Sequence, residues 1–253
     1  MKEVPAQEPV FRQLSRGLLE ALVSLLRLIV IVLFLHTFLL QPFLIPSESM
    51  EQTLLAGDFL LFNKQELSPA GSLTRWILPY REVRRGDIVV FHHPDPHFLV
   101  KRIVGLPGDH LKVIGGRVSI NGQLQDEPYA AFDPVRRSQV QDIFPASIYS
   151  DPQVDPEWWH QMQNLTSNGE LTIPTGEYFV MGDNRNHSRD SRYWGFVDRR
   201  EIVASPLMIY FSVRRPASSE TQRAADDRLG LDRELPARLT GFARWKRIFQ
   251  VVH

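Results

Sequence analysis

The stretch FLVKRIVGLPGD (98–109) decides how this chain is read. Its first seven residues make an apolar, strand-like run, and Gly108-Asp109 marks a turn. In a strand, successive side chains face opposite sides, so Leu99, Lys101 and Ile103 share one face. Lysine is rarely buried. The bland account of Lys101 is an amine that snorkels to water or pairs with a carboxylate. The functional account uses the same apolar surroundings. Desolvation disfavours the ammonium form and lowers a lysine pKa. A neutral lysine can then accept the proton of a serine hydroxyl.

Similar short runs recur at 58–62 (DFLLF), 87–91 (DIVVF), 117–120 (RVSI), 177–181 (EYFVM) and 206–213 (PLMIYFSV), bounded by Gly, Pro, Asn and Asp. This is the pattern of a mainly β, antiparallel domain. Asn121-Gly122, directly after RVSI, predicts a tight hairpin. Gly-Asp pairs at 57–58, 86–87, 108–109 and 182–183 read as turns. The region from about 125 to 167 is rich in Pro, Asp, Gln and aromatic residues and has little periodicity, so it reads as an excursion from the core. After the polar stretch 214–235, Leu239, Phe242, Trp245, Phe249 and Val252 recur at spacings of three and four among basic residues. That spacing predicts an amphipathic helix, either lying on a membrane surface or docked on the β-domain.

The N-terminal part is of another kind. Residues 21–40 (ALVSLLRLIVIVLFLHTFLL) are apolar apart from one arginine and one histidine. Twenty helical residues span roughly 30 Å, the hydrocarbon thickness of a bilayer. Arg12 and Arg16 precede the run, and no Lys or Arg follows until Lys64. The expected topology therefore has a cytoplasmic N-terminus and the remainder outside. A buried helix and a cleavable signal peptide are the rival readings; no small-residue cleavage site follows the run, which disfavours the second. Lys plus Arg and Asp plus Glu number 29 each, so charge gives no case for nucleic-acid binding. With no cysteine, thiol nucleophiles, disulfides and Cys-based metal sites are excluded.

Two residues after the apolar run comes PFLIPSESMEQTLLAGD (42–58). Adjacent serines in a loop usually serve turn chemistry, but here an apolar run is stopped by Pro46 just before them. Taken together, PSESM (46–50), GDFLLF (57–62), RGDIVVF (85–91), KRIVGLPGD (101–109) and GDNRNHSRDSRYWGFV (182–197) resemble the successive boxes of bacterial type I signal peptidases, in the family's order. The resemblance covers about 41–111 and 174–213. It implies a membrane-bound serine endopeptidase with no cofactor, which removes signal peptides from secreted preproteins after small residues. Ser49 would be the nucleophile and Lys101 the general base. The Ser47 hydroxyl and the Ser49 N–H would receive the oxyanion. Ser188 would orient the amine, and Asp190 and Arg192 would form a supporting ion pair. Phe43, Ile45, Leu60, Val90 and Val100 would line shallow substrate pockets. The implied division is a cytoplasmic segment 1–17, an anchor 18–40 in the cell membrane lipid, a catalytic β-domain 41–213 with an inserted lobe at about 112–173, and a polar linker with an amphipathic segment at 214–253. The sequence departs from the family pattern at Glu48 (commonly glycine), Gln52 (usually proline) and Asn186-His187 (typically Asp-Asn).

Three rivals compete. A metal-dependent hydrolase would use His92, His93, Asp95 and His97 with Asp183, but the histidines fall in a proline-containing loop. A membrane-anchored peptide-binding module without catalysis would not need Ser47, Ser49, Lys101 and Ser188 together. Self-cleaving repressors share the Ser/Lys arrangement, but carry a DNA-binding helix-turn-helix where this chain has its apolar run.

Overall fold

The computed structural model describes residues 10–34, 40–63, 81–94, 98–132, 139–146, 149, 151–214 and 242–252. Two compact units are distinguished, residues 1–40 and 41–253. In the first, helix α1 (Val10–Phe34) covers 25 residues. From Gly17 to Leu33 every side chain on it is exposed, including Leu18, Leu22, Leu26 and Leu33. Among the described residues, no helix is long and apolar enough to cross a membrane. The apolar run read from the sequence continues to Leu40, and residues 35–39 lie outside the described part.

The strands, in chain order, are β1 (Leu40–Leu44), β2 (Asp58–Asn63), β3 (Ile88–His92), β4 (Phe98–Gly105), β5 (His110–Ile114), β6 (Arg117–Ile120), β7 (Gln123–Leu124), β8 (Ile143–Phe144), β9 (Thr166–Ser167), β10 (Glu170–Thr172), β11 (Glu177–Met181), β12 (Val197–Asp198), β13 (Ile202–Ser212) and β14 (Gln250–Val251). Among the described residues, one sheet has the order β1-β2-β13-β3-β4-β11-β12, with β14 also paired to β13. A second has the order β7-β6-β5-β10-β9, with β8 paired to β5. The chain is thus mainly antiparallel β. Among the described residues of this unit there are three short α-helices: α2 (Gln139–Asp142), α3 (Pro156–Leu165) and α4 (Ser191–Trp194).

β4 runs between β3 and β11, with Lys101 opposite Val89, and Ile103 opposite Val180. Leu99 and Ile103 pack with Val89, Phe91, Val180 and Ile202. A second cluster joins Ile45, Met50 and Leu54 of the 45–57 loop to Leu60, Val90 and Val100. The third lies on the second sheet, where Trp158 and Met162, one turn apart on α3, meet Leu111, Val113 and Phe179. α3 begins as its sequence dictates: the Asp155 carboxylate accepts from the N–H groups of Glu157 and Trp158, and Pro156 occupies the first turn. The hairpin at Asn121-Gly122 forms with φ of 51° and 77°, the left-handed pair that a type I′ turn needs.

Three of the Gly-Asp pairs are built alike. In each the Asp carboxylate accepts the N–H three residues earlier: Leu55 to Asp58 at 2.8 Å, Arg84 to Asp87 at 2.7 Å and Leu106 to Asp109 at 2.7 Å. The glycines have φ of 93°, 90° and 86°. Each aspartate also holds an arginine: Asp58 with Arg247, Asp87 with Arg81, Asp109 with Arg85. The fourth pair, Gly182-Asp183, is not such a turn and belongs to the site described below.

The C-terminal residues differ from the expected amphipathic helix. Residues 245–247 form one 3-10 turn, and Gln250–Val251 pair as β14 with β13. Arg247 lies 2.6 Å from Asp58 and donates to the Thr53 carbonyl; Arg244 donates to the Ala56 carbonyl. Strand pairing and these arginine contacts outweigh the helical spacing, which carries no term for a waiting sheet edge.

Among the turn glycines, Gly57 and Gly108 separate backbone strain from crowding. Both have positive φ, but a methyl group on Gly57 would collide with the Val213 carbonyl, while one on Gly108 meets open space. Gly108→Ala is expected to cost roughly 1 kcal/mol and Gly57→Ala roughly 3 kcal/mol. Urea unfolding of the purified chain measures both, and equal losses would contradict the packing assigned to Gly57.

Candidate active site

Ser49 lies in the loop between β1 and β2 and is 7 % exposed; Lys101, on β4, is 3 % exposed. The Lys101 Nζ donates to the Ser49 Oγ at 2.5 Å. Burial lowers the Lys101 pKa from 10.5 to about 8, with the nearby Arg192 charge acting in the same direction and Asp190 and Asp183 opposing it. The Ser47 Oγ is 3.3 Å from the Ser49 Oγ.

Residues 182–185 brace this loop from below. The Asn184 N–H donates to the Ser49 carbonyl at 3.1 Å, and the Asn184 amide donates to the Glu48 carbonyl at 3.2 Å. Asp183 accepts from Thr53 Oγ1 at 2.5 Å and is gripped by Arg102 through Nε at 2.9 Å and Nη2 at 2.8 Å. Arg102 also lies 4.0 Å over the ring of Tyr129. Gly182 has no side chain because none fits: a methyl group there would strike the Ser49 carbonyl and the Ser188 hydroxyl. Arg185, 1 % exposed, holds Glu127 with both terminal nitrogens.

Asp190 and Arg192 are both fully buried and joined by two side-chain hydrogen bonds of 2.8 and 2.9 Å. Burial pushes the Asp190 carboxyl up, but the Arg192 guanidinium, the Lys101 charge and the Gly182 N–H hold it below its ordinary value. The pair links the two ends of the 182–192 segment, since Gly182 donates to Asp190 and Arg192 donates to the Arg185 carbonyl. Ser188 is 3 % exposed, and its hydroxyl has no hydrogen-bond partner among the described residues.

A cleft of about 330 Å³ opens beside the serine. Phe43, Ile45 and Val100 line it, together with Ser47, Ser49 and Lys101. Leu60 and Val90 do not. They are 0 % and 3 % exposed and pack in the core behind, because the pleat of β2 and β3 turns them inward. The sequence reading missed Met50, Leu99, His187 and Arg189, which also line the cleft. The apolar two could have been found from their adjacency to Ser49 and Lys101; the basic two carried no signal beyond their place next to Ser188. Gln52 has φ of 102°, a conformation closed to the proline usual in the resembled family, whose ring fixes φ near −65°.

The described residues of the metal reading are engaged separately. His92 packs against Phe98 and His93 against Trp194, while Asp183 is engaged by Arg102 and Thr53. Asp95 and His97 lie outside the described residues, and among those described no three His, Cys, Asp or Glu side chains are grouped to hold a metal.

Comparison with known proteins places the sequence in a family. The family described as signal peptidase, peptidase S26, matches residues 18–211. Signal peptidase I of Pseudomonas aeruginosa is 35 % identical over 207 residues, covering 75 % of this chain and 71 % of that protein. Signal peptidase I of Leptolyngbya laminosa is 30 % identical over 224 residues, covering 84 % and 90 %. Signal peptidase I of Aquifex aeolicus is 31 % identical over 231 residues, covering 78 % and 85 %. A β-domain that buries a lysine amine against a loop serine, in a chain matched by this family over most of its length, is therefore a hydrolase belonging to the signal peptidase family, peptidase S26.

Proposed function

We propose that the chain removes signal peptides from exported preproteins by a Ser49/Lys101 mechanism with an acyl-enzyme intermediate. The single observation that carries the reading is the 2.5 Å contact between a buried amine and a buried hydroxyl. With a pKa of about 8, roughly one Lys101 in ten is uncharged at pH 7. In that form the hydrogen bond reverses, and the Ser49 hydroxyl donates to the nitrogen lone pair. As Ser49 Oγ attacks the scissile carbonyl, its proton moves to Lys101 Nζ. The carbonyl oxygen becomes an oxyanion facing the Ser49 N–H and the Ser47 hydroxyl. Lys101 returns the proton to the leaving amine, and the same nitrogen then activates the water that releases the acyl group.

Asp190 and Arg192 support the segment that carries Ser188 and Gly182, and the unpartnered Ser188 hydroxyl is available to orient the amine. The apolar cleft walls of Phe43, Ile45 and Val100 suit small side chains on the substrate. The run from 21 to 40, of which the α1 part presents apolar side chains all round, would anchor the chain in the cell membrane. Arg12 and Arg16 before it would hold the N-terminus in the cytoplasm and put the β-domain outside.

Ser49→Ala and Lys101→Ala are each expected to abolish cleavage of a preprotein while leaving circular dichroism unchanged. Lys101→Arg should be equally inactive, because guanidinium keeps its proton. In wild type, kcat/KM should rise with pH through an apparent pKa of about 8, the value at which the amine loses its proton. A profile flat from pH 6 to 9, or full activity of a Lys101 variant, would refute the mechanism.

Gly182→Ala tests the brace. The methyl group would push away the Ser49 backbone, and a displacement of the nucleophile by about 1 Å is expected to lower kcat about a hundredfold. An active, folded Gly182→Ala protein would show that this approach does not position Ser49.

A further inference from the structure

Resting on the reading of Ser49 as the nucleophile, the cleft has a feature that the reaction does not use. Ser188 is extended, with φ of −122° and ψ of 124°, and its side chain is buried. Its neighbours, His187 at the end of a 3-10 turn and Arg189, are both exposed on the cleft wall. Two basic side chains thus stand over a cleft whose remaining walls are mainly apolar, within the same cavity as Ser49 and Lys101.

Among the described residues, the acids nearest Arg189 are engaged elsewhere. Asp190, next to Arg189 in sequence, is turned inward and locked on Arg192. Asp183 is locked on Arg102. Glu48 is exposed, but its side chain is not among those lining the cleft. The Arg189 guanidinium reaches the Gln153 carbonyl at 3.5 Å, the outer limit of a hydrogen bond, so among the described residues its charge is held near the cleft without a carboxylate partner there. His187 also stands at a position where the resembled family typically has a neutral asparagine.

We propose that Arg189, assisted by His187, is a specificity-determining residue that favours substrates with an Asp or Glu side chain within three residues of the scissile bond. The ligand chemistry is a peptide carboxylate, read by charge on a partly solvated wall, while the apolar walls read the small side chains. The expected discrimination is that of a solvent-exposed ion pair, about two- to fivefold in kcat/KM, and weaker at high salt.

The test uses the full chain in neutral detergent and a set of synthetic peptides spanning one cleavage site. In each pair a single position, from three before to three after the cut, carries Glu or Gln. Every enzyme is read as its own Glu/Gln ratio of kcat/KM, so that a general loss of activity does not enter. Wild type should show a ratio of about two to five at one or more positions, falling towards one in 0.5 M NaCl. Arg189→Gln should bring the ratio close to one, and Arg189→Glu should invert it. A wild-type ratio of one at every position, or a ratio unchanged in both Arg189 variants, overturns the proposal while leaving the Ser49 mechanism intact. Cleavage of the peptides by Ser49→Ala at the wild-type rate would instead overturn the mechanism on which the proposal rests.

Discussion

Two adjacent cations on β4 are buried, and the fold treats them in opposite ways. Arg102 cannot give up its proton, so its burial requires compensation. It receives a two-point grip from Asp183 and an aromatic face from Tyr129. Lys101 can become neutral, and its contact is the Ser49 hydroxyl rather than a carboxylate. The acids that influence it, Asp190 and Asp183, are already engaged with Arg192 and Arg102. Its charge is therefore attracted at a distance but not fixed, and desolvation prevails. In the unfolded chain the same amine keeps its ordinary pKa, so the unfolded state binds more protons between pH 8 and 10.5 and stability rises with pH across that window. Near neutrality the buried amine lowers stability, a cost that the rest of the domain has to offset.

The offset is visible in how many elements converge on the Ser49 loop. Ile45, Met50 and Leu54 hold it to the β2–β3 core. Asn184 holds its backbone at Ser49 and Glu48, and Asp183 holds Thr53. From the other side Arg247 and Arg244 of the C-terminal residues grip Thr53, Ala56 and Asp58. The strained φ of Gln52 sits between these attachments, where surrounding contacts over-determine the backbone. Ser49, although on a loop, is thus given the rigidity of the two strands and the 182–185 segment around it.

Much of this was legible locally and the rest was not, for physical reasons. The runs at 58–62, 98–104, 117–120 and 177–181 became β2, β4, β6 and β11 with bounds shifted by a residue or none. Each is a short β-rich run closed by Gly, Asn or Asp, and that signal is contained within the segment. β8, β9 and β10 have two or three residues each and exist through pairing with β5 or with each other, so no window of sequence contains their cause. The C-terminal spacing misled for the same reason: β14 owes its form to β13. At the site, Ser49 and Lys101 stood out as residue types in unusual surroundings. Leu60 and Val90 were expected on the cleft wall, but the sequence does not say which face of a doubly buried strand meets a cavity.

The Gly-Asp pairs show how far one dipeptide can diverge. At 57, 86 and 108 the glycine supplies a positive φ and the aspartate closes the turn on a backbone N–H. At 182 the glycine is needed for a different property, the absence of a side chain where the Ser49 carbonyl and Ser188 approach. Its aspartate reaches across the sheet to Arg102 and Thr53 instead of back along its own chain. What separates the two uses is the neighbouring chain: the first three pairs satisfy their own turns, whereas the fourth follows the last residue of β11 and faces a loop brought in from more than a hundred residues earlier. Local chemistry makes a turn from Gly-Asp; only the crossing of Asp183 with Thr53 makes it part of the scaffold around Ser49, and that crossing is a product of the whole fold.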